Sequence, residues 1–99
     1  MIIKKTIVVK NPFGLHLRSA AELINKLSGF KSEVVVRKGK ESVNARSIID
    51  LMTLEAGIGT RLEFIIEGID ADSAVDAIFS FFENDSKTED PVYPETVFS

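Results

Sequence analysis

The sequence predicts an α+β fold of two layers, with helices on one side of an antiparallel sheet. Four stretches carry the β-branched or alternating pattern of strands, and three carry apolar residues at helical spacing. The two kinds of stretch follow one another as β-α-β-β-α-β-α. Strands with one apolar face and helices with one apolar stripe must bury those surfaces against each other. The length, 99 residues, suits a single domain with one modest core and little room for a large cofactor.

The first strand is "IIKKTIVV", Ile2–Val9, ended by the turn residues Pro12 and Gly14 of "KNPFG". From Leu17 the period changes. Leu17, Ala20, Ala21, Ile24 and Leu27 share one face of a helix that Gly29 is expected to close. A hairpin follows, with strands Glu33–Arg37 and Glu41–Asn44 around Gly39. "RSIIDLMTLEAG" reads as a short helix closed by Gly57, with core positions at Ile49, Leu51 and Leu54. In "TRLEFIIEG", Leu62, Phe64 and Ile66 face one way, and Arg61, Glu63, Ile65 and Glu67 the other. "DADSAVDAIFSFFEN" is the last helix, with Ala74, Val75, Ile78 and Phe82 on its apolar face and Phe79 and Phe81 beside it.

Composition excludes several classes of function. There is no cysteine, so disulfides, thiolate nucleophiles and zinc–thiolate sites are ruled out. With one histidine and no cysteine, no metal site is expected, and no cofactor. No apolar run approaches the roughly 20 residues of a membrane-spanning helix, and "MIIKKTIVV" reads as a strand rather than a leader. A cytoplasmic location away from membranes is the expectation. The formal net charge is −3, all of it within residues 85–99, where four acids face one lysine. Residues 1–84 balance, so a nucleic-acid partner is not expected. Two prolines and four acids mark 85–99 as an acidic extended tail following a domain over 1–84.

The single histidine, His16, stands where the turn hands over to the first helical stretch, "NPFGLHLRSAAELINKL". The first N–H groups of a helix lack intrahelical acceptors and carry the positive end of its dipole, a natural seat for phosphate. Arg18 adds a guanidinium that can pair with phosphate oxygens at two points. A neutral imidazole there can attack phosphorus, and the resulting dianion would lie against those same donors. The alternative is that His16 merely caps the helix. No spacing suggests a serine-type triad. A small phosphohydrolase would need a second catalytic group beside Arg18, and "NPFGLH" offers none.

"GLHLRSAA", Gly14–Ala21, resembles the active-site stretch of the HPr family, the histidine-containing phosphocarriers of the bacterial sugar phosphotransferase system, whose pattern is G-[IL]-H-x-R-P-A. "GFKSEVVV", "ARSIIDLMTL" and "GTRLEFIIEGIDADSAVDAI" extend the resemblance to about residues 3–84. It implies an HPr-like open-faced β-sandwich and a monomer that carries phosphate without being an enzyme. His16 would be the phosphorylated residue and Arg18 its phosphate contact. Enzyme I would be the donor and sugar-specific EIIA-type proteins the acceptors. Ser47 falls where many members are phosphorylated by HPr kinase/phosphorylase. As the first residue of S-x-x-D it also reads as a helix cap, with Asp50 completing a capping box. Leu17, Ile48 and Met52 would flank the histidine as an exposed docking patch.

One residue departs from the pattern. Ser19 replaces the family's proline, which exchanges a fixed φ for an N–H and a hydroxyl. That change, with the acidic tail, also suits a second reading: a regulatory HPr-like paralogue, of the nitrogen type or a catabolite co-regulator, that uses phosphorylation at His16 or Ser47 as a binding switch.

Overall fold

A computed structural model describes residues 1–87. The elements are β1 (Ile2–Val8), α1 (Leu17–Leu27), β2 (Glu33–Lys38), β3 (Glu41–Asn44), α2 (Ile48–Thr53), β4 (Arg61–Glu67) and α3 (Ala71–Lys87), in the predicted order. The four strands form one sheet in the order β1-β4-β2-β3, antiparallel at every pairing. β4, last in sequence, lies between β1 and β2. β1 and β2 therefore run parallel with one strand between them, and so do β3 and β4. A helix joins each of these pairs, α1 the first and α2 the second.

The core lies between sheet and helices. β4 supplies Leu62, Phe64 and Ile66, all buried, as its alternation predicts. β2 adds Val34 and Val36, α1 adds Leu23 and Leu27, and α2 and its cap add Leu51 and Leu54. From α3 come Ala74, Ile78, Phe81 and Phe82, and the Phe82 ring tilts against Phe64 with centroids 5.6 Å apart. Burying each large side chain stabilises the fold by about 1.5–3 kcal/mol.

Several expectations need correction. The buried face of α1 consists of Ser19, Ala20, Leu23 and Leu27, while Leu17 and Ala21 are exposed and Ile24 is half-buried. The stripe is rotated because a serine occupies a core position. Ile49, expected in the core, is 73% exposed. A helix as short as α2 turns only a narrow face inward, and Leu51 takes it. α2 ends before Gly57: Leu54 caps it and Glu55 makes the reversal with a φ of 50°. α3 continues through Lys87, so residues 85–87 are helical rather than part of an extended tail. The remainder of that tail, 88–99, lies outside the described residues.

Candidate functional site

The interleaved topology decides which loops meet. α1 descends from the end of β1, and α2 rises toward the start of β4, so the two helices run antiparallel. The N-terminus of α1 therefore lies beside the C-terminus of α2. Backbone hydrogen bonds join the two connecting loops there. Val9 N–H donates to the Thr60 carbonyl (2.9 Å), Gly59 N–H to that of Val9 (2.8 Å), and Leu15 N–H to that of Ala56 (2.7 Å).

The loop that carries His16 is shaped by its own sequence. The buried Asn11 side chain accepts from Phe13 N–H at 2.9 Å, and its carbonyl accepts from Gly14 N–H at 2.8 Å. These bonds fold 11–14 into a tight side-chain-stabilised turn. Gly14 then takes a φ of 68°, and a Cβ on it would lie 2.5 Å from the Ala56 carbonyl oxygen. No other residue fits there without displacing the neighbouring loop.

His16 is the N-cap of α1, half-buried, with extended backbone (φ −102°, ψ 176°). Ala20 N–H is the first to find an intrahelical acceptor, the His16 carbonyl at 2.8 Å. The amides of Leu17, Arg18 and Ser19 therefore stand at the open end of the helix. Ser19 and His16 face each other in the arrangement of a capping box, with one of its two bonds complete. The Ser19 hydroxyl accepts from His16 N–H at 3.0 Å, and the imidazole sits over the Ser19 N–H, short of a full hydrogen bond. Arg18 projects to the surface with Nε 3.4 Å from the Glu22 carboxylate, both side chains 55% exposed. An exposed pair at that distance restrains the guanidinium only weakly, about 0.5 kcal/mol, leaving it able to swing to an anion.

The opposite end of this helix pair is fixed by Arg46. Its guanidinium donates to the carbonyls of Leu27 (2.7 Å), Phe30 (2.8 Å) and Ser32 (2.8 Å), tying the end of α1 to the approach of α2. Ser47, the next residue, is half-buried and caps α2 by accepting from Asp50 N–H at 3.3 Å. The capping box expected with Asp50 is only half formed, because Ser47 N–H donates to the Asn44 carbonyl instead (3.0 Å). Ser47 and His16 thus belong to opposite ends of the pair.

Of the three expected docking residues, Leu17 is 62% exposed, while Ile48 and Met52 are half-buried against the core. Sequence reasoning missed three exposed apolar side chains: Phe13 (53%) and Ile58 (61%) on the joined loops, and Ile49 on α2. It also missed Lys38, whose ammonium donates to the Leu54 (2.8 Å) and Glu55 (3.3 Å) carbonyls. That charge offsets the negative end of α2 beside the site. The signal for Asn11 and Gly14 was present in "NPFG", a turn sequence with an Asx residue at its start. Nothing in the sequence marks the long-range partners of Lys38 or Arg46.

Among the described residues no helix is long and apolar enough to cross a membrane, and no group of three metal-ligating side chains converges.

Comparison with known proteins adds to this geometry. The family model described as the PTS HPr component phosphorylation site matches residues 3–84. The phosphocarrier protein HPr of Treponema pallidum is 36% identical over 88 residues, spanning 89% of this chain and 100% of the relative. The HPr-like protein Crh of Halalkalibacterium halodurans is 36% identical over 84 residues, 85% of this chain and 100% of the relative. The crystal structure of HPr-C-His from Thermoanaerobacter tengcongensis superposes with a TM-score of 0.83 at 34% identity, covering 88% of this chain and 98% of that one.

Proposed function

Since the chain belongs to the HPr family of phosphotransferase-system phosphocarriers, we propose that His16 takes a phosphoryl group from Enzyme I and passes it to EIIA-type acceptor proteins. The chain then acts as a protein co-substrate rather than as an enzyme. One observation carries this reading above all: the sole histidine is the N-cap residue of α1, with extended backbone, at the open amides of the helix.

The exchange balances simply. The P–N bond to the donor imidazole breaks as the P–N bond to His16 forms. Each ring keeps the proton on its second nitrogen, so no net proton is moved. The Leu17–Ser19 amides and a swung Arg18 stabilise the dianion by charge-assisted hydrogen bonds. Phe13, Leu17 and Ile58 around the loops, with Ile49 on α2, give partners an apolar surface.

Ser47 supports a second layer in this reading, phosphorylation by HPr kinase/phosphorylase. A phosphate at an N-cap suits the helix dipole, so it would leave α2 folded and act by adding charge next to the docking surface.

Incubation with Enzyme I and labelled phosphoenolpyruvate tests the main proposal. Acid-labile label is expected on the wild type and none on His16→Ala. Equal label on both proteins defeats it.

A further inference from the structure

Ser19 is the point at which the active-site stretch departs from the family pattern, and the structure gives both of its new groups a place. The hydroxyl is not available to a ligand. It accepts from His16 N–H at 3.0 Å and donates to the His16 carbonyl at 3.1 Å, within a residue 1% exposed. It therefore clamps the main chain of His16 on both sides of its Cα. A proline ring can make neither bond.

The second new group is the Ser19 N–H, which proline lacks. It is the third amide of α1, and the imidazole of His16 lies over it. A phosphoryl group joined to that imidazole would enter the space over the same amide.

We propose that Ser19 is a positioning residue for phosphoryl transfer: its hydroxyl fixes the His16 backbone, and its N–H passes from facing the resting imidazole to donating to the phosphoryl group. The proposal rests on His16 being the phosphorylated residue. The family's proline orders the start of α1 by fixing its own φ. Ser19 orders it by holding His16, and adds one donor to the charged form. A hydrogen bond to a dianion contributes enough to favour the charged state by roughly tenfold over a protein without it.

The test compares Ser19→Pro, which loses both groups, with Ser19→Ala, which keeps the N–H and loses only the hydroxyl. Phosphorylated wild type, charged with Enzyme I and phosphoenolpyruvate or with phosphoramidate, is mixed with each uncharged variant and a trace of Enzyme I. The equilibrium distribution of phosphate is then read by mass spectrometry. Both partners in the exchange are folded, so a purely structural role would not move this equilibrium. Ser19→Pro is expected to hold roughly tenfold less phosphate than wild type, and Ser19→Ala to stay within about threefold. The residue-19 amide resonance should shift on charging in wild type and Ser19→Ala. The His16 amide should exchange with solvent faster in both variants. An even distribution between wild type and Ser19→Pro overturns the proposal, as does a residue-19 amide that is unmoved by charging. Failure of the wild type to accept phosphate from either donor defeats the His16 reading itself, and this proposal with it.

Discussion

Gly14 and Ala56 approach so closely that a Cβ on Gly14 would lie 2.5 Å from the Ala56 carbonyl oxygen, while the adjacent Leu15 N–H donates to that oxygen at 2.7 Å. This contact places His16 at the mouth of α1. Gly14→Ala forces a side chain into left-handed backbone and against a neighbouring loop, and both effects act together. The variant should lose about 3 kcal/mol in denaturant unfolding. It should also accept phosphate more slowly, because relieving the clash disturbs the loop contact that presents His16. Unfolding midpoints and labelling rates measured on the same preparation check both effects.

Arg46 tests a different part of the scaffold. Its guanidinium spans three backbone carbonyls that end α1 and lead into β2. Arg46→Met keeps the aliphatic stem but leaves those acceptors without a charged donor. A loss of about 3 kcal/mol is expected. Arg46→Lys should recover only part of it, since one ammonium cannot reproduce the planar fork. Lysine restoring full stability would mean that charge alone matters there.

Much of the fold was legible because its strands obey simple alternation. Leu62, Phe64 and Ile66 read as one buried face and form one, since β4 is an interior strand with one face toward the helices and the other toward solvent. The phase of α1 was not legible. A hydropathy pattern counts Ser19 as polar and Leu17 as apolar, yet the serine satisfies its hydroxyl on the His16 backbone and can be buried. Leu17, at the first helical position beside the open amides, stays outside. Ile49 misled for a related reason: four apolar residues in six cannot all face inward from a helix of under two turns. His16 and Arg18 were legible as local neighbours. The loop contact that presents them was not, because it joins residues some forty positions apart.

Asp70 predicts the acid limb of stability. The Ser32 hydroxyl donates to its carboxylate, and so do Lys31 N–H (2.7 Å) and Ser32 N–H (2.9 Å). The Ser32 hydroxyl bond first, and then the Lys31 and Ser32 amide bonds, hold the group below the ordinary aspartate value against the opposing effect of desolvation. A depressed folded-state value means this stabilisation is fully present above the ordinary aspartate value. It is lost as the pH falls through the lower folded value. Melting temperature from pH 7 to 2 should therefore drop steeply only at the acid end. Asp70→Asn should start lower at neutral pH and show a shallower acid fall. A variant that parallels the wild type throughout would assign the acid limb to other carboxylates.

Leu17 and Ile49 separate docking from folding. Both are exposed, at 62% and 73%, so a charge at either position costs little packing. Leu17→Glu and Ile49→Glu should each unfold within about 0.5 kcal/mol of wild type. If partners rest on this surface, both variants raise the concentration of carrier needed for half-maximal phosphorylation by Enzyme I. Phosphoramidate should charge them as it charges the wild type. A defect with phosphoramidate too would place the damage at His16 rather than at the interface.

Ser47 poses the sharpest question, because one hydroxyl is asked both to cap a helix and to receive a phosphate. Its bond to Asp50 N–H, at 3.3 Å, is long. Ser47→Ala should accordingly cost about 1 kcal/mol or less, while Ser47→Asp keeps an acceptor at the cap and stays near wild type. Those stabilities isolate the cap. Regulation is isolated by rate. Ser47 lies at the far end of α2 from the loop joined to the His16 turn, so added charge reaches the reacting imidazole weakly through solvent. It acts instead on a partner seated over α2. Ser47→Asp should thus slow charging by Enzyme I while Ser47→Ala does not, and higher ionic strength should narrow the gap. Phosphoramidate should charge both variants equally. If Ser47→Asp is charged by Enzyme I as fast as wild type at low salt, Ser47 retains the cap as its only supported role.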